Sequence, residues 1–164
     1  MCDYTKLFRE ALATNKDHTK WDTGDYSGIK TISNLKVGNV GEAFIVKVCH
    51  DLGIDYTIPT DKGPWDIVIN GIKFEVKTAT EDVNGSFQFN HIRYHREYEA
   101  VLCLGISPTS LQFNLWSKAD IVTGKAGRLV SMEKNANASY KLTKRKNTLY
   151  EIELFKEKID SFTI

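Results

Sequence analysis

An α/β fold built around one β-hairpin is predicted by three features of this 164-residue sequence. Residues 64–80 alternate in β fashion on either side of Asn70-Gly71, the strongest short-range signal for a two-residue hairpin turn, because both central positions must take positive φ. Residues 35–52 carry apolar side chains at helical spacing and stop at Gly53, a good C-terminal signal. Residues 100–106, Ala-Val-Leu-Cys-Leu-Gly-Ile, form a short, continuously apolar run, the mark of a strand buried on both faces.

Composition is compatible with that class. The chain is long enough for one domain with a substantial core, expected to occupy residues 1–164. Its 41% hydrophobic and 26% charged residues give a soluble globular balance rather than a disordered one. No apolar run is long enough to cross a bilayer and no apolar segment follows the N-terminus, so no membrane association is expected. Cys2, Cys49 and Cys103 are widely spaced and odd in number, which argues for reduced thiols and a cytoplasmic location. The net charge is only +1, so binding to nucleic acid would need local clustering of charge.

Taken in order, residues 3–13 predict a short helix with Leu7, Phe8, Ala11 and Leu12 at helical spacing. Residues 14–31 are polar and read as a long loop, in which Trp21 and Tyr26 pin the loop to the core or serve as a stacking surface. In the helix over 35–52, Val40, Phe44, Ile45, Val48 and Leu52 share one broad stripe, with Glu42 at its edge. Gly38 and Gly41 cost this helix about 1 kcal/mol each relative to Ala, and such glycines usually permit a close approach to the helix backbone. Residues 54–59 predict a first strand.

The hairpin closes with Ile69 facing Ile72, Ile67 facing Phe74 and Asp66 facing Glu75. Alternation puts Ile67, Ile69, Ile72, Phe74 and Val76 on one face and Asp66, Lys73, Glu75 and Lys77 on the other, with Val68. Opposed Cβ atoms lie about 4.5–5.5 Å apart, so two carboxylates there repel each other. A divalent cation between them offsets the repulsion. Two acids and a lysine around one small volume suit metal-assisted attack on a phosphate, and they also suit an ordinary charged hairpin face.

Beyond the hairpin, residues 81–85 read as a loop and part of 87–98 as a helix. That segment carries Gln88, Asn90, His91, Arg93, His95 and Arg96, side chains able to meet phosphates or base edges. His91 and His95 stand four apart, but no HExxH pattern or neighbouring cysteine supports a zinc site. Residues 111–116 alternate as the hairpin partner of strand 100–106, and Ser117 caps a brief helix through Val122. Residues 123–147 are polar, with a basic cluster at Lys141, Lys144, Arg145 and Lys146. Residues 149–155 predict a last strand, followed by a charged tail.

Pro64-Trp65-Asp66 followed across the hairpin by Glu75-Val76-Lys77 resembles the PD-(D/E)xK motif of restriction-endonuclease-like nucleases. Gly41-Glu42 on the upstream helix is similar to that superfamily's first helix, and residues 85–108 resemble the segment after its catalytic strand in small bacterial and phage enzymes. The likeness covers roughly residues 37–116. It implies a mixed central β-sheet flanked by α-helices, with the acids at one edge. Residue by residue, it implies Asp66 and Glu75 as Mg²⁺ ligands (Mn²⁺ substituting), joined by the backbone carbonyl of Val76. Lys77 would position the attacking water, Glu42 would act in the outer shell, and Gln88 would assist nearby.

The expected activity is Mg²⁺-dependent hydrolysis of phosphodiester bonds in double-stranded DNA, sequence-specific in the manner of type II restriction enzymes. A homodimer is expected, in a bacterial cell or phage-infected host. With no separate recognition domain, readout falls to residues 14–31, 123–147 and 88–96, with Gln88, Asn90, His91, Arg93, Arg96, Lys141, Lys144, Arg145 and Lys146 as DNA contacts. The alternatives are a structure-specific or nicking nuclease, and a non-catalytic nucleic-acid-binding protein with a nuclease-like fold.

Overall fold

A computed structural model describes residues 3–15, 20–61, 63–135 and 138–164. Cys2 and residues 16–19 of the predicted first loop lie outside them. The elements run α1 (Tyr4–Asn15), a 3-10 turn (Ser27–Thr31), α2 (Asn34–Asp51), β1 (Tyr56–Thr57), β2 (Ile67–Ile69), β3 (Ile72–Thr80), β4 (Ser86–Ile92), β5 (Ala100–Ile106) and β6 (Leu111–Ser117). They continue with α3 (Lys118–Thr123), β7 (Leu129–Glu133), β8 (Ser139–Arg145), β9 (Tyr150–Glu151) and α4 (Phe155–Ser161). One sheet has six strands in the order β1-β2-β3-β5-β6-β9, and a second has three in the order β4-β8-β7. The large sheet is mixed: β3 and β5 run parallel and its other pairs are antiparallel. A mixed central sheet flanked by helices is therefore the architecture, as the sequence predicts.

The hairpin forms in the predicted register, Ile69 opposite Ile72 and Ile67 opposite Phe74. Asn70 and Gly71 take φ of 49° and 81°, the left-handed pair that this turn requires. Asp66 extends the ladder by donating its backbone N–H to Phe74 O at 2.9 Å.

Alternation along β5 builds two cores on opposite faces of one strand. Ala100, Leu102, Leu104 and Ile106 join Ile67, Phe74, Val76 and Phe113 beneath α2 and α4. Val101 and Cys103 point the other way, into a cluster with Phe87, Phe89, Ile92, Trp116 and Leu142. Each such fully buried aliphatic or aromatic side chain contributes about 1.5–3 kcal/mol. Gly105 lets the small sheet dock: a Cβ there would meet the Phe87 ring at 2.8 Å.

Helix α2 begins at Ser33, whose hydroxyl accepts from Lys36 N–H at 3.4 Å, and ends before Gly53 at φ 67°. Its buried line is Gly41, Ile45 and Cys49, spaced by four, while Val40 and Leu52 are exposed. The stripe is thus rotated from the predicted one, because Gly41 approaches β3 so closely. A Cβ on Gly41 would lie 1.8 Å from Thr78 Oγ1. Nothing lies near a Cβ on Gly38.

Three sequence expectations fail. Residues 86–92 form strand β4 rather than part of a helix: Phe87 and Phe89 point inward and Gln88 and Asn90 outward, a period of two. His91 and His95 therefore lose the helical spacing that would bring them together. Residues 123–147 are not a continuous loop, because they contain the strands β7 and β8. The predicted strand over 149–155 shrinks to β9, and the charged tail is helix α4, whose Phe155 and Ile159 are buried a helical turn apart.

Trp21 is half-buried against the α2-side core and donates its indole N–H to Glu81 O at 3.1 Å, while Tyr26 N–H bonds Pro108 O at 3.1 Å. These contacts pin the first loop to the core. Cys49 and Cys103 are free and buried, and burial pushes the Cys49 thiol up to about 11. Among the described residues no helix is long and apolar enough to cross a membrane.

Candidate functional site

The hairpin register decides what meets what. Asp66 precedes β2 by one residue, which sets it against Glu75 and beside Val76. Its Oδ2 accepts the Val76 backbone N–H at 2.8 Å, so one oxygen is fixed by the strand it faces. Glu75 and Lys77 share the other face of β3, and Lys77 Nζ lies 3.1 Å from Glu75 Oε1. Glu75 Oε2 is buried without a hydrogen-bond partner.

Electrostatics binds these groups into one unit. Burial pushes the Asp66 carboxyl above its ordinary range, against the pull of the Val76 N–H, Lys77 and Arg96. Burial likewise raises Glu75, opposed by Lys77 and Arg96 and reinforced by the negative charge of Asp66. Desolvation outweighs both cations. A site that holds two carboxylates against their own repulsion is suited to a cation.

Glu42 stands across a cavity of about 240 Å³ that Asn39, Glu42, Asp66, Ile67 and Val76 line together. Gly41 explains the placement, since its missing Cβ lets α2 settle on Thr78 and carries the next residue to the mouth of the cavity. Asn39, Glu42 and Val76 also line a larger cleft of about 490 Å³, where they meet Lys77, Asp82, Gln88, Asn90 and His91. The two cavities share Asn39, Glu42 and Val76, with Asp66 on the smaller and Lys77 on the larger.

Donor chemistry fits a small, hard divalent cation, which takes one or two carboxylates and keeps several waters. Asp66 and Glu75 supply the carboxylates, and Glu75 Oε2 is an oxygen with no other use. Among the described residues no three His, Cys, Asp or Glu side chains cluster as metal ligands, so Glu42 faces the site without joining the pair.

The expected DNA contacts are divided by the structure. Gln88 and Asn90 open into the cleft. Arg96 acts on the acids themselves, as the shifts at Asp66 and Glu75 show. His91 Nδ1 and Arg93 Nη2 each lie 3.3 Å from Glu133, tying the end of β4 to β7. Lys144 is turned inward, over the Trp116 ring at 5.2 Å and donating to Ala126 O at 2.7 Å. Lys146 reaches Glu81 at 3.4 Å. Lys141 and Arg145 remain on the outer face of β8. Two residues near the site, Asn39 and Asp82, carry no sequence motif, and Tyr98, within the stretch of resemblance, carries no expected role; its buried hydroxyl lacks a partner among the described residues and is raised by burial and then by Glu75. Asn39 had a usable signal, lying three residues before Glu42 on the same helix face.

No family model and no curated protein matches the chain. Among solved structures it is similar to a bacterial homing endonuclease, with a TM-score of 0.46 and 12% identity over 70% of this chain and 76% of that one. No residue's role rests on that likeness.

Proposed function

We propose that the protein is a Mg²⁺-dependent endonuclease that hydrolyses phosphodiester bonds in duplex DNA at specific sequences. The observation that carries this reading is the juxtaposition of Asp66, Glu75 and Lys77, with Glu75 Oε2 buried and unpaired and with Lys77 lining the same cleft as Glu42. Asp66, Glu75 and the Val76 carbonyl would hold the cation, with Mn²⁺ able to replace Mg²⁺. A cation bound there supplies charge neutralisation at the phosphate and a lowered pKa for water.

The chain's own residues do the rest. Lys77, poised beside Glu75, holds the attacking water near the phosphate and offsets the charge that develops on its oxygens. Glu42 orients water from the opposite wall. Arg96 adds positive field to a site whose carboxylates are partly desolvated. The Val76 N–H keeps Asp66 in one rotamer, so the acid does not have to be ordered when substrate arrives.

One active site cuts one strand, so a double-strand break takes either two sequential nicks or two copies, and a homodimer is the symmetric arrangement that supplies two copies. Digestion of a sequenced plasmid with Mg²⁺ and mapping of the ends tests the reading: discrete fragments support it, and a smear or intact DNA counts against sequence-specific cutting. Burial of Asp66 and Glu75, which favours their protonated forms, supports a second reading, a protein that binds DNA without cutting it. Binding by the wild type without cleavage, unchanged in Lys77→Ala, would select that one.

A further inference from the structure

Taking the duplex-DNA reading as its basis, we infer that the outward face of the small sheet is the base-reading surface, with Gln88 and Asn90 on β4 and Thr143 and Arg145 on β8 entering the major groove. The sheet is antiparallel and two-faced. Its inner face is committed to Phe87, Phe89, Ile92 and Leu142 in the core. The register sets Gln88 directly opposite Thr143 and Ser86 opposite Arg145, so the side chains between the buried ones stand together on the outside. Gln88, Asn90, Thr143 and Arg145 are all exposed, and Lys141 joins them beside Val130.

Chemistry and continuity identify the occupant. Amides, a hydroxyl and a guanidinium are the side chains that read base edges: Gln and Asn bidentate to adenine, Arg to guanine, Thr to either. Lys141 and Arg145 complement a phosphate backbone, and the exposed apolar side chains of the sheet, Val130 and Met132, are on β7. Two paired strands are about 4.8 Å apart, narrow enough for a groove about 12 Å wide. The face is continuous with the cleft, because Gln88 and Asn90 line it together with Lys77 and Glu42. A duplex seated on β4 and β8 therefore runs its backbone along the cleft toward Lys77 and Glu42.

Asp82 sets the order of the reader. Its Oδ1 accepts the N–H groups of Asn84 and Ser86 at 2.9 and 3.0 Å, and its Oδ2 lies 3.5 Å from Gln88 Nε2. Gln88 is thus held with its amide presented from a fixed turn rather than swinging freely.

The test is a binding selection from a random-sequence duplex library in EDTA, where no cutting occurs, with the full chain and with Gln88→Ala, Asn90→Ala, Thr143→Ala and Arg145→Ala. The wild type is expected to enrich a motif. Each of Gln88→Ala, Asn90→Ala and Arg145→Ala is expected to lose roughly 5- to 150-fold discrimination at one base position while other positions keep theirs. Unaltered melting curves of these exposed-site variants separate lost readout from lost fold. An enriched motif that no variant changes, no motif at all, or no binding overturns the inference. A motif altered by the variants, in a protein that never cuts when Mg²⁺ is restored, upholds it and removes the nuclease reading instead.

Discussion

Asp66 and Glu75 hold their protons more tightly in the folded chain than free carboxyls do, because burial disfavours their charged forms by more than Lys77 and Arg96 favour them. The consequence for stability has a definite sign. A carboxyl raised on folding contributes stability that is present below its unfolded pKa and lost as pH rises through its folded one. Replacing the charge removes that loss, so Asp66→Asn is expected to raise the melting temperature at pH 7 by a few degrees. The substituted amide oxygen still accepts from the Val76 N–H. Thermal melts at pH 4 and pH 7 check this: wild type and variant converge at low pH and separate at neutral pH. A variant less stable than wild type at pH 7 contradicts the assignment. Cation binding, which needs both carboxyls ionised, is expected to weaken as pH falls, beginning above the range of ordinary carboxylates. Calorimetric titration with Mn²⁺ from pH 7.5 down to 5 follows that loss, and a pH-independent affinity would remove the two acids as ligands.

Lys77 is the residue whose role separates the site from a charged hairpin. Its ion pair with Glu75 is mostly buried, with the two side chains 18% and 10% exposed. In Lys77→Ala the Glu75 carboxyl is expected to rise further, so the variant loses stability between pH 5 and 8 faster than the wild type does. The facing of Asp66 and Glu75 was legible from the Asn-Gly turn, since the turn alone fixes the register. Arg96 and Tyr98 were not. They reach the acids only because the chain turns back after β4, a tertiary fact with no local pattern.

Among the elements, α2 and β3 meet through Gly41, and the two helix glycines are expected to behave oppositely. Gly41→Ala places a methyl against Thr78 and β3 and should cost about 1–3 kcal/mol by overpacking, beyond what helix propensity returns. Gly38→Ala enters open space and should stabilise by up to about 1 kcal/mol. Urea unfolding of both variants tests the pair, and a stable Gly41→Ala would mean that α2 does not sit on Thr78. Both glycines carry the sequence signal for close approach, and in the structure Gly41 makes it while Gly38 faces open space. Strand β4 is hidden in the sequence because Gln88, Asn90, His91 and Arg93 give the segment a polar composition that masks the period of two set by Phe87 and Phe89. A bulge between Phe89 and Ile92, with His91 at φ 58°, then broke the alternation at its end. Helix α4 was missed because seven residues with two buried positions give little periodicity to read.

Across the whole molecule, β5 organises both cores, and its burial was legible because seven apolar residues in a row allow no exposed face. What no sequence pattern announced is the second sheet, in which β4 pairs with β8 across more than forty residues of chain that include β5 and β6. That sheet lines one side of the cleft and α2 the other, with Val76 and Lys77 of β3 between them. The proposed activity depends on this enclosure, since it sets Lys77 and Glu42 on one cleft with the polar side chains of β4.

The most direct test of the central claim is the rate at which an end-labelled duplex, chosen from mapped plasmid ends, is cut in Mg²⁺ by the wild type and by Lys77→Ala. The account predicts metal-dependent cleavage by the wild type, stopped by EDTA, and a rate about 10²- to 10⁴-fold lower in the variant at unchanged DNA affinity. Equal rates in the two proteins, or an intact duplex with both, would contradict it.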